Sequence, residues 1–369
     1  MAATETPTPE AEKTPDAIVG RLFEGTIGMF DVMSVYVGDR LGLYRALREG
    51  GPSTPADLAK RAGIDERYAR EWLEQQAVTD ILDVDDVSAT QDRRRYRLSD
   101  GFADALLNPD SPNSITPLAR SAVACAKVLP QLLEAFRTGG GVDWAAYGPD
   151  MIEAQGDFNR PWLLASFGTE LIPAIPAIHK RLIADPPAQV ADVACGVGWA
   201  AISIAKAYPT VHVDGFDLDE SSIQMAKANA KQAGVADRVT FAVRDAADPA
   251  AAGNYDLAVV IEAIHDMSRP VDALAAMRQM LRPGGSALIA DEKTQDAFTA
   301  PADEAERLYY GFSIFTCLPA AMTERPTAAT GTVMRADTLR GYATEAGFTG
   351  FERLDEPALD MLRFYRLTP

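Results

Sequence analysis

The sequence predicts an α/β protein: a Rossmann-like, doubly wound sheet of seven strands behind a mainly α winged-helix domain. Three observations predict it. From residue 186 onward, apolar strands alternate with amphipathic helices. In QVADVACGVGWAAISIAKAY, residues 189–208, Gly196 and Gly198 stand where the first of these strands meets its helix. Glycine is costly to order, and such a junction favours it when something must come close to the backbone. Residues 53–98 read as two helices around a tight turn, followed by two short alternating strands.

The elements follow in order. Residues 1–16, MAATETPTPEAEKTPD, lack the apolar core of a signal peptide and read as a disordered tail. Ile18, Leu22, Phe23, Ile27, Phe30, Val37 and Leu41 recur at near-helical intervals, which fits two or three helices before Glu49. Ser53 or Thr54 caps the next helix, Gly63 makes a turn, and Asp65 starts a helix whose inner face carries Tyr68, Trp72 and Leu73. Ile81–Val84 and Arg95–Leu98 complete a winged helix over residues 17–110. Residues 111–185 form a helical connector, with Glu170 a lone acid in WLLASFGTELIPAIPAIHKRLI. The strands QVADVAC, TVHVDGFDL, RVTFAV, YDLAVVIEAI and SALIADE then alternate with helices, and FTGFERL and DMLRFYRL close the domain of residues 186–369 as an antiparallel pair. His212 is expected to pack inside its strand, and His179 to meet carbonyls at a helix end.

Charge and composition exclude several classes. Thirty-five basic against 53 acidic residues give a net charge of -18, which repels phosphate backbones over about a Debye length, ~8–10 Å. Arg93, Arg94, Arg95 and Arg97 on the wing invite a DNA-binding reading, but the helix DERYAREWLEQQ mixes acids with bases. The wing is read as solvated and the domain as a dimerisation module, with no nucleic-acid partner. No apolar run reaches ~18 residues, so no membrane span is expected. Cys125, Cys195 and Cys317 lie far apart without paired spacing, which suits a reduced cytoplasmic protein. With three histidines no histidine-rich metal site is expected.

Gly196, Gly198 and Ala201 fit the GxGxxA spacing of a dinucleotide site, with Asp217 at the distance of a ribose-binding acid. That motif alone does not separate NAD from S-adenosylmethionine. Asp192, inside the strand, suits a cationic amino-acid ligand better than a pyrophosphate. EAIHDMSRP after the fourth strand and LRPGGSALI at the fifth favour the same choice. Together DVACGVG, FDLD, RDAAD and LRPGGSALIADE resemble the ordered motifs of class I S-adenosylmethionine-dependent methyltransferases, over about residues 186–369. With the winged helix and connector in front, the chain is similar to the small-molecule O-methyltransferases of plants and actinobacteria.

The resemblance implies S-adenosylmethionine as cofactor and a homodimer through the N-terminal domain. Asp217 accepts the ribose hydroxyls, Asp245 and Ala246 lie beside the adenine, and backbone at Ala194, Gly196 and Gly198 approaches the methionyl portion. Asp192 balances its ammonium indirectly. Leu218 and Glu262 complete the implied cofactor set. His265, first of His265-Asp266-Met267-Ser268, corresponds to the family's catalytic base, with Asp266 beside it. An imidazole near pKa ~6.5 is poised for that role. Asp291 matches one family carboxylate that orients the base, whereas Gly331-Thr332-Val333-Met334-Arg335 lacks the other. Phe158, Trp162, Phe167, Tyr309, Tyr310, Phe312 and Phe315 are expected to line an apolar acceptor pocket. Two alternatives stay open. One is C-methylation of a prenyl diphosphate, with Glu170 as base, a Mg2+ ion, and Arg160, Lys180 and Arg181 near the diphosphate. The other is a regulator whose winged helix binds DNA and whose C-terminal half senses the nucleoside.

Overall fold

The computed structural model describes residues 13–248, 253–355 and 359–369. Residues 1–12 of the expected tail lie outside the described residues. The rest of the tail is not loose, since the Thr14 side chain caps a helix that begins at Pro15. The chain divides into two compact units, one up to Asn108 and one from Pro109.

In the first unit a single 26-residue helix, Pro15–Arg40, precedes Leu43–Gly50. Then come Pro55–Ala62 and Glu66–Val78, the expected helix-turn-helix. Thr54 and Asp57 exchange side-chain and backbone hydrogen bonds at 3.1 and 3.2 Å, a capping box that satisfies two otherwise orphan donors. Asp65 accepts the amides of Arg67 and Tyr68 at the start of the next helix. Trp72 and Leu73 are buried against Tyr44 and Leu58, but Tyr68 is 78% exposed, contrary to expectation. The buried stripe runs through Ala69, Trp72, Leu73 and Gln76, and Tyr68 falls just outside it. The wing is short: β1 (Asp83–Val84) pairs antiparallel with β2 (Tyr96–Arg97). Arg94 pairs with Glu74 at 3.1 Å and Arg97 with Asp83 at 2.7 Å, while Arg95 donates to the Pro52 carbonyl.

The second unit holds β3 (Gln189–Val193), β4 (His212–Asp217), β5 (Val239–Val243), β6 (Tyr255–Ile261), β7 (Leu281–Glu292), β8 (Gly350–Leu354) and β9 (Leu362–Thr368). They form the expected seven-stranded sheet in the order β5-β4-β3-β6-β7-β9-β8. All pairings are parallel except those of β9. β6 reads YDLAVVI with no polar alternation past Asp256 because helices cover both its faces. His212, at the first position of β4, is exposed and not packed, and His179 bonds the Tyr208 hydroxyl at 2.9 Å instead of terminal carbonyls.

The connector belongs to this second unit. Its helix Pro149–Trp162 runs on into a wide π-helical turn, Leu163–Leu171. Gly168 lies so close to helix Trp199–Ala207 that a Cβ there would stand 2.8 Å from the Ser203 carbonyl. Ser203 closes the contact by donating to the Leu163 carbonyl at 2.5 Å and accepting from the Gly168 amide at 3.2 Å. At the amino end of the sheet, buried Asp256 accepts from Arg181 at 2.9 Å, from Arg282 at 3.1 Å and from the Gln189 amide at 2.9 Å.

Candidate cofactor and acceptor site

A cavity of about 490 Å³ opens at the carboxyl ends of β3, β4 and β6, where ligands enter sheets of this topology. Its floor begins with Ala194 and the glycine turn. Gly198 has φ +85°, and a Cβ there would meet the Phe241 ring at 2.6 Å, so only glycine fits the bend. At Gly196, φ +50°, a Cβ would find nothing within 4 Å; that side of the backbone is open for a ligand. Ala194, in the place of the family's first glycine, adopts φ +54°. Such a conformation costs an L-residue on the order of 1 kcal/mol and tends to persist where function requires it.

The acids implied by the resemblance gather here. Asp217 Oδ2 accepts from the Gly196 amide at 2.8 Å and Oδ1 from the Asp219 amide at 2.9 Å, which ties the end of β4 to the glycine turn. Burial pushes the Asp217 carboxyl up. Each oxygen keeps a further lone pair, enough for a vicinal diol. Asp192 is 2% exposed, accepts the Ala201 amide at 3.0 Å, and is driven up to about 7 by burial. That bond ties the carboxylate to the start of helix Trp199–Ala207. Leu218, Asp245 and Ala246 form one wall, where Asp245 accepts from Arg269 at 3.2 Å. Glu262, just past β6, has φ +49° and accepts from the side-chain amides of Asn159 and Gln155; burial pushes it up to about 7.

His265 is 1% exposed and lies behind the cavity wall, not in it; Asp266 is the wall residue between them. Its Nδ1 stands 2.9 Å from Asp291 Oδ1 and 3.1 Å from Glu292 Oε2, and its Nε2 stands 3.1 Å from Asp266 Oδ1. Burial alone would lower its pKa, but the Asp291, Glu292 and Asp266 carboxylates outweigh burial and raise it well above the ordinary value. Glu292, directly after Asp291, thus brings a second carboxylate within 3.1 Å of Nδ1, whereas residues 331–335 hold no acid. Sequence reasoning passed over Glu292 because adjacent strand residues ordinarily face opposite ways; the signal was a pair of acids ending an otherwise apolar strand.

The seven aromatics need correction, since none of them lines the cavity. Phe167 is wholly buried in the core, edge-on to half-buried Trp162. Tyr309 is buried and donates to the Met361 carbonyl at 2.8 Å, and Tyr310 meets Arg335. Phe158 and Phe315 are exposed and Phe312 is half-buried. The apolar side chains that do line the cavity include Trp144, Ile152, Leu163, Trp199 and Met267. Glu170 is exposed and outside the cavity, so the carboxylate base of the C-methylation alternative is not in place. Two of its three supporting cations are engaged elsewhere: Arg160 pairs with Asp110 at 2.7 Å and lies over Trp199, and Arg181 binds Asp256.

Comparison with known proteins agrees with this geometry. Residues 190–285 match the family model of a methyltransferase domain, and residues 29–107 that of an Rv2258c-like winged HTH domain. An O-methyltransferase of Aspergillus nomiae is 33% identical over 115 residues, 31% of this chain and 51% of that protein. An O-methyltransferase of Pyrenophora dematioidea is 29% identical over 179 residues, 48% of this chain and 60% of that protein. The chain thus spans about half the length of the curated relatives it matches. Among solved structures, human N-acetylserotonin methyltransferase in complex with SAM superposes with a TM-score of 0.68 at 17% identity, over 97% of this chain and 99% of that one. A putative O-methyltransferase from Nostoc punctiforme gives 0.67 at 17% identity, over 99% and 100%.

Proposed function

We propose that this chain, a methyltransferase-domain protein with an N-terminal winged HTH domain, is an S-adenosylmethionine-dependent methyltransferase acting on a small, apolar or aromatic hydroxyl compound. The observation that carries the reading is the Gly196–Asp217 contact: a carboxylate held by backbone amides beside an open glycine turn, with no basic residue among its partners. That site suits a ribose diol and a cationic amino acid and repels a pyrophosphate. The bound cofactor supplies a methyl group on a positively charged sulfur.

The chain's own residues do the rest. Trp144, Ile152, Leu163 and Met267 hold the acceptor's apolar body and keep water out of the cavity. Alignment of acceptor and donor contributes up to ~7–11 kcal/mol in well-oriented reactions. Asp291 fixes the His265 ring through Nδ1, Asp266 stands between Nε2 and the cavity, and the ring accepts the acceptor's proton in its base form, which grows as pH rises. The winged helix serves a homodimer, since the wing arginines Arg94, Arg95 and Arg97 spend their donors within the chain. Cys125, Cys195 and Cys317 are free thiols, in keeping with a cytoplasmic setting.

Calorimetric titration tests the cofactor assignment. The protein is expected to bind S-adenosylhomocysteine and not a nicotinamide dinucleotide. Asp217→Ala should weaken that binding by about a hundredfold, the worth of two hydrogen bonds to a charged group. Uptake of the dinucleotide in preference would overturn the reading.

A further inference from the structure

Adjacent parallel strands β3 and β6 both end in an L-residue forced to positive φ, Ala194 at +54° and Glu262 at +49°, and both residues line the cavity. The pairing of the Glu262 amide with the Ala290 carbonyl at 2.8 Å fixes this bend, so the carboxylate is aimed by the backbone and not by a flexible loop. Its side-chain partners are Asn159 and Gln155, neutral amides from helix Pro149–Trp162.

The charged and titratable groups around it are these. His265 and Asp266 face it from the turn after β6, Asp291 and Glu292 from the end of β7, and Tyr309 from helix Glu304–Phe312. His265, the cation of this set, is claimed by Asp291, Glu292 and Asp266. Of the cavity's own arginines, Arg269 is held by Asp245 and Asp272, and Arg244 lies over the Phe216 ring. Among the described residues Glu262 therefore has no cation of its own. A buried carboxylate in that position is stable when a positive charge arrives with the ligand, or when it takes a proton.

The methyl donor and its demethylated product share adenosine, ammonium and carboxylate, and differ by one methyl and one positive charge. We propose that Glu262 tells donor from product by charge: it is ionised while the sulfonium is bound and takes up a proton once that charge is gone. The inference rests on the cofactor reading above and assigns Glu262 a role within it. In the transfer the acceptor's oxygen forms the new bond to carbon, and sulfur keeps the electron pair of the bond that breaks. The acceptor's proton is taken by the base form of His265 and released to solvent, and Glu262 takes its own proton from solvent as the positive charge disappears. The next donor expels that proton to solvent, and the product, which lacks the sulfonium charge, meets a neutral Glu262.

Titration calorimetry at pH 7, in buffers of different ionisation enthalpy, counts the protons. S-adenosylmethionine should release about half a proton more than S-adenosylhomocysteine, because protons from Asp192 and Asp217 respond to parts common to both ligands and cancel in the difference. The preference for donor over product should rise between pH 6 and 8, by at most about tenfold per pH unit. In Glu262→Gln both the extra proton and the pH dependence of the donor-to-product ratio should vanish, whatever happens to the absolute affinities, and an unchanged circular dichroism spectrum reports a folded chain. Equal proton release by the two ligands in the wild type, or an unchanged difference in Glu262→Gln, would overturn the role of Glu262. Binding of neither ligand would overturn the cofactor assignment and this role with it.

Discussion

At His265 a single imidazole faces three carboxylates, and the sign of their effect decides how the site responds to pH. Its folded pKa is raised above the ordinary value, so near neutrality the ring carries its proton and is not free to accept another. The base form grows only as pH rises through that raised value. The rate with a hydroxyl acceptor is therefore expected to climb on the alkaline side of neutrality. Asp266→Asn removes one of the three stabilising charges and should shift the climbing limb to lower pH, whatever it does to the maximum. A limb that stays in place in the variant would show that another group titrates. His265 itself was legible, because HD followed a recognisable strand. Its three-sided enclosure was not, since Asp291 and Glu292 come from β7, and no spacing in the chain tells which strand lies beside which.

At the scale of elements, the helix Pro15–Arg40 leaves Ile18, Val19, Leu22, Phe23, Ile27 and Phe30 exposed. A contiguous exposed apolar stripe of that size marks an association surface. Leu22→Asp together with Phe23→Asp should convert the expected dimer to a monomer in light scattering while leaving helicity intact; a wild-type monomer would remove dimerisation from the proposal. The elements themselves were readable wherever side chains obey a local rule. Thr54 and Asp57 mark a helix start, Gly196 and Gly198 a bend, and the apolar run of β6 a covered strand. The aromatics failed because periodicity names a face but not its neighbour: Phe167 and Tyr309 do turn inward, yet into the core and not into the cavity. Glu170 failed for the complementary reason. Its apolar flanks suggest burial, but the π-helical turn at Leu163–Leu171 widens the spiral and carries it to the surface.

For the whole molecule, acidity is concentrated as well as abundant. The ordinary values of Asp192 and Glu262 are 3.8 and 4.5, and in the folded, ligand-free chain both stand at about 7. Between those limits the folded state binds more protons than the unfolded one, so for these groups stability is greatest below about pH 4 and is lost as pH rises to about 7. Melting temperature across pH 5 to 7.5 should thus fall more steeply in the wild type than in Asp192→Asn, whose amide can still accept from Ala201 and has no proton to lose. The same slope in both proteins would mean that Asp192 is not the group responsible.

The opposite end of the same sheet has the reverse character. Asp256 is saturated by Arg181, Arg282 and the Gln189 amide, and no charge is left waiting there for a visitor. Parallel strands thus run from a foot where one carboxylate meets two guanidinium groups to a crown where Asp192 and Asp217 accept from backbone amides and Glu262 from side-chain amides. Substitutions at Arg181 or Arg282 should shorten the protein's lifetime and leave its chemistry alone. The cavity-lining residues lie at the rim, away from the ion-paired base on which it stands.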